Sequence, residues 1–490
     1  MRPTTPPLLP LLLADVPHAL AVMLAQEGVP TAPFQPGRTN GTFVLFDSRA
    51  RHPHPQLALR QQAIDIDELR RTLARGGHAS DPFAPIASAG TVRAAWQVGG
   101  RQASEEVAAV DRRKIREQII AMLRCRIAER GGIWLRLARF PAPYRTAANF
   151  RFDHDDFIAA DFDRALAAIA GHESMTTHFV CGATHEPHRD ALLRLVGLDV
   201  GSHGYRHHTY RTFAENLANI ERGIAVLGDC GIEASGFAAP HGRYNAGLAA
   251  AMNALGITHS SEFSLAYDDL PFLPQGSETL QLPIHPFCLG IMLEAVAPHE
   301  VGDEAVRRRV VEATIEHFRS TALELYAARM PIFFYGHPDG RVGRYPELLR
   351  RVLAAIEELP DVWRTTMTEF QRWWRARQRI GIEVTTDGDG WQIEAERLPC
   401  NFAAALEVCD GERTATVALD RARLRIARGA LRFTADEPYR VPTPQPIAAP
   451  FDLRAIVRRV LDWERVTPID EIDSTSMAGL MKKTLRRIRG

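Results

Sequence analysis

No stretch of this chain approaches the roughly 18 uncharged apolar residues that a helix needs to cross a bilayer, so no membrane span is expected. Cysteine is scarce: Cys125, Cys181, Cys230, Cys288, Cys400 and Cys409 are scattered without a C-x-x-C pair, which argues against a zinc ribbon and for buried free thiols. An excess of either charge is missing too. Lys plus Arg and Asp plus Glu both number 59, so no global field favours nucleic acid or an anionic membrane, and any partner must be recognised locally. The start, Met1-Arg2-Pro3 followed by Leu8 to Ala14, has one positive charge and a short apolar run broken by Pro10, which makes a poor secretory signal; a cytoplasmic enzyme is expected. The first 144 residues contain no glycine-rich phosphate loop. What remains is a chain of 490 residues with 46% hydrophobic content, enough for more than one core and for two or three domains.

The chemistry is concentrated in two short segments. Arg151-Phe152-Asp153-His154-Asp155-Asp156-Phe157 ends an apolar run in carboxylates, and about fifty positions later comes Gly201-Ser202-His203-Gly204-Tyr205-Arg206-His207-His208. In an extended strand Asp153 and Asp155 point the same way, so one can hold a divalent ion while the other stays free as a base. His203 and His207, four apart, would share one side of a helical turn. One Asp and two His leave open positions on an ion for water and substrate, as a catalytic centre requires. Asp156 competes with Asp155, and His154, on the opposite strand face, should turn into the barrel wall. Taken singly, each segment is more often the bland case, carboxylates decorating a loop or a chance pair of imidazoles, than a metal site.

Three further segments follow in order: Ser235-Gly236-Phe237-Ala238-Ala239-Pro240-His241-Gly242-Arg243-Tyr244-Asn245, then Leu282-Pro283-Ile284-His285-Pro286, then Ile332-Phe333-Phe334-Tyr335-Gly336-His337-Pro338. Between about 145 and 378 this succession resembles the polysaccharide deacetylase family with the NodB homology domain, part of carbohydrate esterase family 4. The resemblance implies Asp153 as base, Asp155, His203 and His207 as metal ligands, the His241 backbone amide as oxyanion donor and His337 as acid. Arg151, Pro240, Gly242, Arg243 and Tyr244 are then expected around the substrate, with His285 as the competitor for the acid role. Two departures stand out. The first motif is spaced as Asp-x-Asp where an adjacent pair is commoner, and Ala238 occupies the position where the family usually has an Arg paired with the base. Losing that cation should raise the Asp153 pKa, unless Arg151 or Arg243 substitutes.

The expected fold is α/β: a distorted seven-stranded (β/α) barrel of NodB type over 145–379, an N-terminal α/β domain over 1–144, a β-rich domain over 380–450 and a helical basic tail over 451–490. Barrel strands are expected at 150–152, 176–180, 199–202, 236–239, 258–261, 280–284 and 331–336. In the N-terminal unit, helices are expected at 17–26, 64–74 and 105–129, with a strand at 42–46. The expected activity is metal-assisted removal of an N-acetyl group from an amino sugar, with zinc first among the divalent metals on ligand type. Hydrolysis of a non-sugar amide or cyclic ureide on the same barrel is the alternative, and a glycan-binding relic without activity is the third reading.

Overall fold

In the computed structural model the described residues are 7–36, 42–51, 54–76, 81–84, 91–108, 111–234, 236–262, 268–294, 303–410, 413–435, 445–446 and 477–489. Of the helical tail expected over 451–490, residues 451–476 and Gly490 lie outside them, as does Ser235, and Met477–Arg489 is a helix.

The core is a curled parallel sheet. Its first strand, Thr146–His154, is buried at all nine positions, as a strand covered on both faces must be. The second (Thr176–Val180) and third (Asp199–Ser202) pair outward from it in parallel, followed by Gly236–Phe237, His259–Ser260 and Leu280–Gln281. The seventh, Ile332–Gly336, pairs on the other side of the first. This path of seven is the expected half-barrel. A short eighth strand, Val362–Arg364, also pairs with the first and was not expected, since three residues carry no readable period.

Alternation along the first strand sorts its side chains. Register places Phe152 opposite His178 and Asp153 opposite Phe179. The Phe152 and His178 rings stack 4.9 Å apart, and His154 Nε2 lies 3.0 Å from His178 Nδ1. His154 therefore faces the wall, close to Phe162. Arg151 lies on the other face, with its guanidinium carbon 5.6 Å from the Phe179 ring centre and 5.2 Å from that of Tyr335.

The covering helices begin where side-chain caps satisfy their first amides. Thr212 accepts from Glu215 N at 3.3 Å to start Phe213–Gly228, and Thr366 accepts from Glu369 N at 3.2 Å to start Met367–Arg379. Both are Thr-x-x-Glu capping sequences.

The expected helix 105–129 is two elements. Arg101–Ala108 is a strand paired antiparallel with Thr91–Val98, and only Arg112–Glu129 is helical, capped by Asp111. The hairpin is made by Gly99 (φ 58°) and Gly100 (φ 76°), whose positive φ values suit the two-residue turn that right-twisted strands require. Val107 thus packs from a strand.

Both ends of the chain share sheets. Pro7–Leu9 pairs with Gly381–Asp387, which continues to Gly390–Glu396 and Arg423–Ala427. Trp134–Leu137 pairs with Ala404–Asp410, which continues to Arg413–Leu419. A buried charge network ties these sheets to the barrel. Glu27, 2% exposed, receives Arg136 at 2.8 Å, Arg139 at 3.0 Å and a short bond from Arg116. Arg116 also reaches Asp268 at 3.1 Å, and Arg136 reaches Glu407 at 2.7 Å. Among the described residues no helix is long and apolar enough to cross a membrane.

Candidate metal and catalytic site

The ends of the first, third and seventh strands bring Asp155, His203, His207 and His337 together. His203 Nε2 and His207 Nε2 stand 3.1 and 3.2 Å from Asp155 Oδ1, and His337 Nε2 stands 3.4 Å from Oδ2. Asp156 is exposed and accepts from the Phe157 amide at 2.9 Å. The convergent carboxylate is thus Asp155.

The orientation of His203 is fixed from behind. Its Nδ1 lies 2.6 Å from the Ala238 carbonyl, which can only accept, so Nδ1 carries a proton and Nε2 turns toward Asp155. Backbone support of this kind is what metal-ligating imidazoles have. Asp155 Oδ1 is buried, with two imidazole nitrogens beside it. Lone pairs gathered this way call for a positive charge between them. Asp155, His203 and His207 can each place one ligand atom within 4.8 Å of the others, so the residues present fit a divalent cation by donor type and by convergence.

The His pair does not sit on a helical turn. Residues 203–208 form a loop laid against the helix Phe213–Gly228. Asn219 accepts from Arg206 N at 2.8 Å and donates to the carbonyls of Arg206 at 3.1 Å and His208 at 3.2 Å. Gly223 allows that approach, because a Cβ there would lie 2.7 Å from the Gly204 carbonyl carbon. The spacing of four held, but an asparagine clamp supplies it, and only the side-chain partners of Asn219 would have revealed that.

Beside the cluster lies Asp153, 4% exposed. Arg151, fully buried, holds it through Nε to Oδ1 at 2.7 Å and NH2 to Oδ2 at 2.5 Å, while NH1 donates to the Ser261 carbonyl at 2.6 Å. Burial would raise the Asp153 carboxyl, but the Arg151 guanidinium and then His203 outweigh it and hold it below the ordinary carboxylate range. The expected raised pKa is therefore corrected. The cation missing at Ala238 is supplied by Arg151, two residues before Asp153 on the first strand. Ala238 itself has no exposed surface, so an Arg introduced there would have nowhere to go.

The other expected site residues divide. Arg151 stands behind the base rather than against a substrate. Pro240 and Gly242 are buried, and Tyr244 packs among Ile220, Phe237 and Leu248 in a local core, which removes it as a contact. Arg243 remains exposed beside the turn. His241 has left-handed φ (57°), and its amide donates to no acceptor among the described residues, which leaves it available to an oxyanion. The His241 ring lies 4.7 Å from that of His207. His285 sits beside Phe334 and Phe318, with its amide bonded to the Phe333 carbonyl, so it lies alongside the middle of the seventh strand and not at the strand end that carries His337.

Three residues escaped the sequence reading. Glu262 accepts from the Ala239 amide at 2.9 Å and from Ser260, holding the turn that carries His241; burial pushes its carboxyl up to about 7. Asp339, in the loop after His337, is pushed up to about 7 by burial and then by Asp155. Arg341 lies beside His337, whose imidazole is pushed down to about 4 by burial, with Arg341 adding to the effect and Asp155 opposing it. A cavity of about 560 Å³ lies elsewhere: it is lined by residues including Val29, Arg377, Ile382 and Glu394 and contains none of the convergent residues.

The fold is a curled parallel α/β half-barrel of the NodB type, with Asp155, His203 and His207 converging at its strand ends and the buried Asp153 beside them. Residues 148–260 match the family model described as polysaccharide deacetylase. No curated protein matches the chain. Among solved structures, one from Mycobacterium smegmatis assigned to the polysaccharide deacetylases is 18% identical, with a TM-score of 0.42, covering 49% of this chain and 94% of its own. A family 4 carbohydrate esterase from Streptomyces lividans in complex with acetate is 15% identical, with a TM-score of 0.31, covering 46% and 95%. A family 4 pseudoenzyme from Bacillus anthracis is 12% identical, with a TM-score of 0.31, covering 47% and 68%.

Proposed function

We propose that this chain is a metal-dependent hydrolase that removes the N-acetyl group from an amino sugar in a glycan or glycan precursor. The observation that carries the reading is the convergence of Asp155, His203 and His207 next to a separate, arginine-held carboxylate, Asp153. Asp155, His203 and His207 would hold a divalent ion, zinc first on ligand type. When bound, such an ion polarises the acetyl carbonyl and lowers the pKa of water.

The chain's own residues supply the rest. Asp153 accepts the proton of the attacking water, and its two bonds to Arg151 fix the carboxylate in place for that transfer. The His241 amide donates to the oxygen that becomes negative as the carbonyl carbon turns tetrahedral. His337 gives a proton to the departing amine. The non-sugar amide reading drew its support from the Ala238 departure, and Arg151 removes that support. A relic without activity would have no need of the Arg151–Asp153 pair or of the His203 orientation.

His203→Ala or His207→Ala is expected to abolish both bound metal and acetate release, because losing one of three protein ligands leaves the ion too weakly held. Asp155→Asn should lose metal and Asp156→Asn keep it. Metal analysis of the purified variants, with an acetate-release assay on N-acetylglucosamine oligomers, checks this; full metal occupancy in the His203 and His207 variants would reject the ligand set.

A further inference from the structure

Arg341 and Cys288 close around the inner edge of the His337 ring. Arg341 NH1 lies 2.9 Å from His337 Nδ1 and 3.1 Å from the Cys288 sulfur, which is itself 3.3 Å from Nδ1. A guanidinium has no acceptor, so the Nδ1 lone pair faces Arg341. In a neutral imidazole the single ring proton is then on Nε2. That nitrogen faces the site, 3.4 Å from Asp155 Oδ2.

The local chain is shaped to deliver this contact. After His337 it folds back on itself, with Val342 N bonded to the His337 carbonyl at 3.1 Å and Gly340 N to Asp161 Oδ2 at 2.8 Å. Gly340, at φ 68°, takes the left-handed position this reversal needs. Arg341 thus returns to the ring four residues after leaving it. Cys288, without exposed surface, fills the space beneath, on the segment where Leu289 bridges to Gly336. A carboxylate in the place of Arg341 would draw the proton to Nδ1 and leave a lone pair facing the substrate; the arginine does the reverse.

We propose that Arg341 is a positioning residue: it fixes His337 as the Nε2–H tautomer and aims that N–H at the departing nitrogen. The inference rests on the reading of His337 as the group that faces the leaving amine. As the C–N bond breaks, the Nε2 proton passes to the nitrogen in step with the return to the ring of the proton that Asp153 took from water, so no charge is left on the imidazole and each turnover is balanced.

The test is the ring-nitrogen spectrum of the full-length protein as purified, labelled with 15N-histidine, with the His337 signals identified by their loss in His337→Gln. The expected pattern is an unprotonated Nδ1 and a protonated Nε2, shifting toward a tautomer mixture in Arg341→Met and retained in Arg341→Lys. A protonated Nδ1 in the unaltered protein, or an Arg341→Met spectrum identical to it, would overturn the proposal. In the acetate-release assay Arg341→Met should lower kcat by about 10- to 100-fold with KM unchanged, within the range of general acid contributions, and Arg341→Lys should recover part of it. A raised KM with kcat intact would count against positioning. If the unaltered protein releases no acetate, the deacetylase reading fails while the spectrum still decides the role of Arg341.

Discussion

Asp153→Asn should retain bound metal and lose turnover by about 10²- to 10⁴-fold, the usual contribution of a general base. The side chain keeps its size, and its amide oxygen can still accept one bond from Arg151, so the fold and the Asp155 cluster should survive. What is lost is the capacity to take a proton. The buried Arg151 then has half its partner, and a modest drop in stability should accompany the drop in rate. Single-turnover acetate release beside metal content measures both. Metal loss equal to the loss in rate would show that Asp153 is a ligand and not the base.

The second large effect is on the fold. Glu27→Gln should destabilise the protein by about 3–5 kcal/mol, because it removes the charge that Arg116, Arg136 and Arg139 share out of water. The same network gives a pH dependence. Burial would raise the Glu27 carboxyl, but Arg139, Arg116 and Arg136 depress it far below the ordinary range, and Glu407 is depressed mainly by Arg136. A carboxyl depressed on folding contributes stability above its unfolded pKa of about 4.3 and loses it as pH falls toward the folded value. Denaturant midpoints should therefore fall steeply below about pH 4.3 in the unaltered protein and less steeply in Glu27→Gln. Equal slopes would place the acid sensitivity elsewhere.

The barrel was legible because its strands are short apolar runs buried on both faces and its helices open on Thr-x-x-Glu or Asn caps. The pairing of Asp153 with Asp155 was legible for a similar reason, since side chains two apart share a strand face; that His203 and His207 meet Asp155 was implied by the family resemblance. The partner of Asp153 was harder. Arg151 obeys the same period of two, yet whether it reaches forward to Asp153 depends on the Phe179 and Tyr335 rings that flank it, and those come from other strands. Arg341 was hidden by a reversal of the loop that no periodicity describes. The hairpin at Gly99-Gly100 was written in the sequence, but the apolar spacing around Val107 fitted a helix as well as a strand. The sharing of sheets between the two ends of the chain had no local signal, because strand pairing is settled by which edges remain open.

The most direct test of the account is titration of zinc into chelator-stripped full-length protein while acetate release from N-acetylglucosamine oligomers is followed. The prediction is no release from the stripped protein and full recovery near one equivalent of zinc, with no recovery in Asp155→Asn. Acetate release that persists after stripping, or a recovery in Asp155→Asn matching that of the unaltered protein, would contradict it.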